Sequence, residues 1–291
     1  MVFVSPSQGV RHESRVMRRE DFMWSSQPGP SFVRSRFLII TGLCIAIWPV
    51  WRWIGARMMD RSDAHWESVA VITAMVFLWR DRKTEATHAP GALPIILLLT
   101  YAMTCGFAPP LVRALLAFAA LATACSALWY GKRVELPICG LIMLSLPVMA
   151  SLEFYVGYPL RVVVGEATAW LLHTNGIAAH REGTLLLWSG RTVAIDAPCS
   201  GVKMLWTGAY LCFAMAALMK LSAVRTLVLA VGAAVVVIAA NILRATSLFY
   251  VEAGLLRAPP AAHEGIGVLM FVVAAGALAS MSHRLARIQH A

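Results

Sequence analysis

Apolar residues along the chain collect into runs of membrane-crossing scale, separated by short polar or basic stretches. The runs cover about Phe37 to Trp53, Trp66 to Trp79, Leu93 to Ala108, Leu115 to Tyr130, Leu136 to Tyr155, Val202 to Met219, Thr226 to Ala240 and Ile266 to Met281. A helix needs about 20 predominantly apolar residues to cross the hydrocarbon. Several runs extend toward that length, so the pattern predicts an all-α fold, a polytopic membrane bundle of about eight transmembrane helices. The second run is the shortest and crosses only with its flanks or in a thin bilayer. One interruption is long, from about Gly157 to Cys199. Within it, Leu160 to Leu172 carries apolar residues broken by Arg161, Glu166 and Thr168, the pattern of a helix lying in the interface or packed on the bundle. Two further apolar runs flank Ser189-Gly190 and predict a hairpin. A small external helix plus hairpin loop is therefore expected to deliver the chain to Asp196-Ala-Pro-Cys-Ser-Gly201.

Composition strengthens the membrane assignment: 59% of the 291 residues are hydrophobic and 14% charged, against roughly 25% charged in a soluble domain. Mean hydropathy is +0.70. The net charge of +10 does not point to nucleic acid, because the basic residues fall mostly between apolar runs. With the amino terminus inside, fifteen of the 25 basic residues collect on the cytoplasmic side, including Arg80 to Lys83, Lys132-Arg133 and Lys220 to Arg225 in short loops. Both termini are then cytoplasmic. Residues 1 to 36 form a basic tail, and 37 to 291 one integral membrane domain. Six scattered cysteines match neither a metal site nor a disulfide framework, and nothing in the pattern calls for a cofactor.

This orientation gathers three segments on the external face. Cys199 stands between Pro198 and Ser200-Gly201, just before the run from Val202, and is expected in the first turn of a membrane helix, where the helix dipole favours a thiolate. Gly201 allows close approach of a substrate or a neighbouring helix. Taken alone, Cys199 reads equally well as a small buried residue. Arg244 follows a long apolar run at an expected helix end, three residues after Asn241 on the same helix face. Alone it reads as a snorkelling anchor. His263 opens the last run beside Glu264, either a partner or a solvated charge, and Gly267 stands where a zinc-protease signature would need a second histidine. Together the three supply the parts of acyl transfer: a thiol nucleophile, a proton carrier and a cation for the developing oxyanion.

At Asp196-Ala-Pro-Cys-Ser-Gly-Val202, Asn241-Ile-Leu-Arg244 and His263 the chain resembles the exosortase/archaeosortase family of multispanning cysteine transpeptidases. The motif similarity covers about the carboxy-terminal half. The resemblance implies Cys199 as nucleophile, Arg244 as transition-state stabiliser and His263 as acid/base, with Asn241, Ser200 and Gly201 supporting. It implies substrates that are exported proteins with a carboxy-terminal Pro-Glu-Pro-type motif, a hydrophobic span and a basic cluster. Cleavage would fall at the external face of the cytoplasmic (inner) membrane, with transfer to a surface acceptor, in systems tied to extracellular polysaccharide.

Two other classes remain open on the residues alone. A transporter or assembly scaffold would use Arg244 and Asn241 to line a polar path, and would be marked by broken helices in two corresponding halves. A thiol-disulfide enzyme would need Cys105 as the partner of Cys199, since no Cys-x-x-Cys occurs.

Overall fold

The computed structural model of the chain describes residues 30–59, 67–81, 91–195, 201–259 and 261–290. Among them, α1 (Pro30–Ala46), α2 (Trp48–Met59), α3 (Glu67–Arg80), α4 (Ala92–Thr104), α5 (Pro110–Tyr130) and α6 (Leu136–Leu144) form the first half. α7 (Met149–Leu152) leads through a π-helical turn at Glu153–Gly157 into α8 (Tyr158–Thr174). Strands β1 (His180–Glu182), β2 (Leu185–Trp188) and β3 (Arg191–Ala194) follow, and then α9 (Val202–Leu218), α10 (Ala223–Glu252) and α11 (Ala262–His290).

Every expected apolar run overlaps a helix, and the protein is a helical membrane protein, but the helices are not eight straight crossings. α5, α10 and α11 are each long and apolar enough to cross a membrane, and up to five spans result if each of two bent pairs counts as one. α3, α4 and α9 have 14, 13 and 17 residues, below the usual crossing length of about 20. The run from Phe37 to Trp53 is bent by 68° between α1 and α2. Pro49 sits in the first turn of α2, where its ring removes a backbone donor and crowds the preceding turn. The run from Leu136 to Tyr155 turns by 91° after α6, at a break that contains Pro147. What the pattern presents as one span is thus a nine-residue helix followed by a helix in a new direction.

α10 departs further from expectation. Its apolar run ends near Ala240, yet the helix continues to Glu252, 30 residues in all. At 1.5 Å per residue that is about 45 Å, longer than a hydrocarbon core of about 30 Å, and its last turns follow the end of the apolar run. There they pack against α8 and the sheet: Leu172, Leu186, Val193, Ile195, Leu248 and Phe249 form one buried cluster. Trp188 meets Phe249 edge-on at 6.3 Å.

The expected helix and hairpin are both present, with a third strand added. The antiparallel order is β1-β2-β3. Ser189 and Gly190 close β2 to β3 with φ of 47° and 74°, the left-handed pair of a type I′ turn whose twist suits a hairpin. Arg181 of β1 donates to Glu166 of α8 at 2.7 Å and ties the sheet to that helix. Below this layer, close helix contacts rest on small residues: Gly140 faces the Phe213 ring, Gly208 faces Val237, and Gly232 faces Met281.

Candidate active site

The site is assembled around the part of α10 that follows its apolar run. Asn241 is buried, 2% exposed, and its side chain lies against Gly201, the residue that caps the start of α9. Gly201 has φ +83°, in the left-handed region, and a Cβ there would come within 2.6 Å of Asn241 Nδ2 and 2.9 Å of Cγ. A glycine is needed on both counts, backbone conformation and space. Three residues on, Arg244 turns toward α11: a Cβ on Gly267 would meet its Nε at 3.3 Å and its Cζ at 3.7 Å. Gly267 lies one helical turn after His263. The amide therefore lies against the start of α9 and the guanidinium against α11.

His263 occupies the first turn of α11, as expected. Its carboxylate neighbour is Glu252, the last residue of α10, with His263 Nε2 3.9 Å from Glu252 Oε1. Both side chains are about half exposed, 45% and 41%, so protons can exchange with water at this pair. Glu264, the neighbour in sequence, is exposed. Glu252 is not legible in the sequence as a site residue, because the apolar run stops well before it. The signal that finds it is helical spacing, since Asn241, Ala245, Leu248 and Glu252 fall at i, i+4, i+7 and i+11 on one continuous helix.

One expectation about a helix end is corrected. Arg244 is not at the end of α10 but about two turns inside it, because the helix continues onto the sheet layer. α9 begins at Val202, after the left-handed Gly201. Cys199 and Ser200 themselves lie outside the described residues, as do Asp196 to Pro198. Cys105, the cysteine considered as a disulfide partner, is an exposed thiol closing α4.

Above α10, the Arg191 guanidinium donates to the Ala253 carbonyl at the helix end, where a cation complements the helix dipole. Val193, Ala194 and Ile195 of the β3 segment, with Ala245, Leu248 and Glu252 of α10, line a cavity of about 20 Å³, room for one water. The strand that leads to residues 196–200 is thus seated on the same helix face that ends in the His263 partner.

No curated protein and no solved structure matches the chain. The family model for transmembrane exosortases matches residues 35–280, which takes in α1 through most of α11. With a helical membrane architecture and the start of α9, the upper turns of α10 and the start of α11 drawn together, the match is coherent over the whole bundle, and the chain belongs to the transmembrane exosortase family.

Proposed function

We propose that the protein is a membrane-embedded cysteine protease/transpeptidase that cleaves carboxy-terminal sorting signals of exported proteins. The observation that carries this reading is the convergence on α10: Gly201 against Asn241, Arg244 against Gly267, and His263 one turn before Gly267 and beside Glu252. Two peptide units, about 7 Å at full stretch, join Cys199 to Gly201. In the proposed reaction the Cys199 thiolate attacks the scissile carbonyl carbon and Arg244 stabilises the oxyanion. The C–N bond then breaks as His263 gives its proton to the leaving amine, and a thioester remains. Water or an acceptor amine next attacks the thioester, loses a proton to His263 and frees the thiolate. Counting each bent pair as one span and α3, α4 and α9 as crossings too, the chain would cross the cytoplasmic membrane about eight times, with both termini inside and this site outside. Its partners would be exported proteins carrying a Pro-Glu-Pro-type motif, a hydrophobic span and a basic cluster.

The transporter reading gains little from the two broken helices. Its polar residues, Asn241 and Arg244, stand on α10, which is unbroken over 30 residues.

The test compares carboxy-terminal peptides of exported proteins, by mass spectrometry, in cells carrying the native chain and the Cys199→Ala variant. A set of proteins that keep their hydrophobic tails only in the variant is expected. Identical profiles, with the variant present at normal level, would overturn the reading.

A further inference from the structure

β3 has an open edge among the described residues, and the register shows which groups lie along it. Ile195 N–H donates to the Thr184 carbonyl at 2.9 Å, and the pairing runs Leu185 with Ala194, Leu186 with Val193, Leu187 with Thr192 and Trp188 with Arg191. Antiparallel ladders alternate hydrogen-bonded and non-hydrogen-bonded pairs. Residues 184/195, 186/193 and 188/191 therefore form the bonded pairs, and Thr192 and Ala194 turn their N–H and C=O groups to the other side. Among the described residues no strand lies on that side in the order β1-β2-β3. Both residues are exposed, and among the described residues nothing hydrogen-bonds to their backbone groups. Natural edges are blunted by charged side chains, proline or a bulge. β3 carries one charge, Arg191, at its start, where the guanidinium is bonded to the Ala253 carbonyl, and it has neither proline nor a bulge over Thr192 to Ala194.

The edge is contiguous with the candidate site. β3 lies on Ala245, Leu248 and Glu252 of α10, and Glu252 neighbours His263. In sequence it leads through residues 195–201 into α9, a helix of the bundle. An exported chain about to be cut runs the same way, from outside into its own hydrophobic span. Two chains that enter the membrane in the same sense would pair in parallel.

We infer that β3 receives the extended segment of the exported substrate, on the amino side of its scissile bond, as a fourth, parallel strand. This rests on the proposed function. In a parallel bridge opposite Val193, one substrate residue donates its N–H to the Thr192 carbonyl and accepts the Ala194 N–H at its own carbonyl. The residues on either side of it turn their backbone groups away and need no donor. A Pro-x-Pro segment is the chemistry that satisfies this edge: proline lacks an N–H, and prolines at alternate positions lose no bond when the central residue alone pairs. The edge thus accepts proline on both sides of the paired residue and rejects it at the centre.

The test uses the full chain in lipid nanodiscs, with a synthetic peptide that begins, with a free amine, at the first proline of a Pro-Glu-Pro segment followed by a hydrophobic tail, so that no carbonyl lies two residues before the centre to accept the Thr192 N–H, and its analogue N-methylated at the central residue. Binding is read on the Cys199→Ala protein and cleavage on the native one. Ala194→Pro removes the N–H the substrate uses. Thr192→Pro removes one that it does not, and serves as the matched control, because neither donor bonds to β2. Loss of one hydrogen bond predicts about tenfold weaker binding for Ala194→Pro and for the N-methyl peptide, with Thr192→Pro near native. Equal binding by the N-methyl and unmodified peptides, or equal loss in both proline variants, overturns the inference. So does an edge-to-edge dimer of the chain that Ala194→Pro dissociates without weakening peptide binding. Cleavage that is indifferent to both backbone changes leaves the protease reading intact and removes the docking strand. N-methyl-sensitive binding without cleavage does the reverse.

Discussion

Gly201→Ala is the sharpest perturbation of the geometry around α10. Two costs add. At φ +83° an alanine sits in the left-handed region, about 1–2 kcal/mol above its preferred conformations. Its methyl would also lie 2.6 Å from Asn241 Nδ2, 2.9 Å from Cγ and 3.4 Å from Cβ. The obstacle is therefore the base of the side chain as well as its tip. Asn241 is 2% exposed and has no solvent to retreat into, so α9 and α10 must part by several tenths of an ångström, an overpacking of about 1–3 kcal/mol. The sum, about 2–5 kcal/mol, falls at the joint that sets the start of α9 relative to Arg244. Displacements of about 1 Å in a catalytic constellation cost on the order of 100-fold. Cleavage of a signal-bearing reporter by the purified variant should drop by about that factor, while thermal unfolding in detergent shows a folded protein of lower Tm. The double variant with Asn241→Ala removes Nδ2 and Cγ, and the alanine at 201 should then be tolerated better than in the single variant, with a coupling of about 1–2 kcal/mol in unfolding free energy. If Gly201→Ala lowers stability by the same amount in both backgrounds, the Gly201–Asn241 contact does not operate. If the single variant cleaves at the native rate, this joint does not set the site.

Gly267→Ala should separate geometry from stability. Helix propensity favours alanine by about 1 kcal/mol, whereas the new methyl meets Arg244 Nε at 3.3 Å and displaces the guanidinium slightly. We expect an unchanged or raised Tm with kcat lowered about tenfold and KM unchanged, the signature of an interaction made in the transition state; a change confined to KM would contradict that role. Glu252→Gln keeps the shape of the His263 neighbour and removes its charge. Because the pair is 3.9 Å apart and about half exposed, the contact is open to salt screening. kcat should fall several-fold at low ionic strength, and the difference from the native protein should close in about 1 M salt. An unchanged kcat at low salt would remove Glu252 from the site.

Hydropathy makes the helices legible, since each apolar run overlaps one, but it does not reveal their directions. Pro49 and Pro147 are visible as residues, while their effect depends on whether neighbouring elements let the chain turn. α1–α2 bends by 68° and the chain after α6 by 91°. Proline in a membrane helix can also be accommodated within a straight span, where neighbours satisfy the freed carbonyls, so the bends are a tertiary result. The hairpin, by contrast, is legible in full at Ser189-Gly190, because a two-residue turn with both φ positive is a local requirement that those residues meet. β1 is not, since His180-Arg-Glu182 carries no apolar alternation. It pairs through β2 and through the bond from Arg181 to Glu166.

The candidate site divides along the same line. His263 at the start of α11 follows from the onset of an apolar run, a feature of the segment itself. The end of α10 does not, because polar residues after Ala240 look like a helix leaving the membrane and ending. The helix continues instead, since Leu248, Phe249 and Ala253 find apolar partners in the layer of α8 and the sheet. That change of partner keeps Arg244 inside a rigid element instead of at a fraying end, and it brings Glu252 to His263 across the loop between α10 and α11. One helix therefore has two kinds of neighbour in succession: its first turns are apolar and pack on the bundle, its last turns are mixed and pack on α8 and the sheet, and Asn241 and Arg244 stand between the two. Polar side chains at that level lie against neighbouring helices, Asn241 against α9 and Arg244 against α11, which is the arrangement the proposed reaction requires: groups fixed by packing between rigid elements rather than carried on a loop.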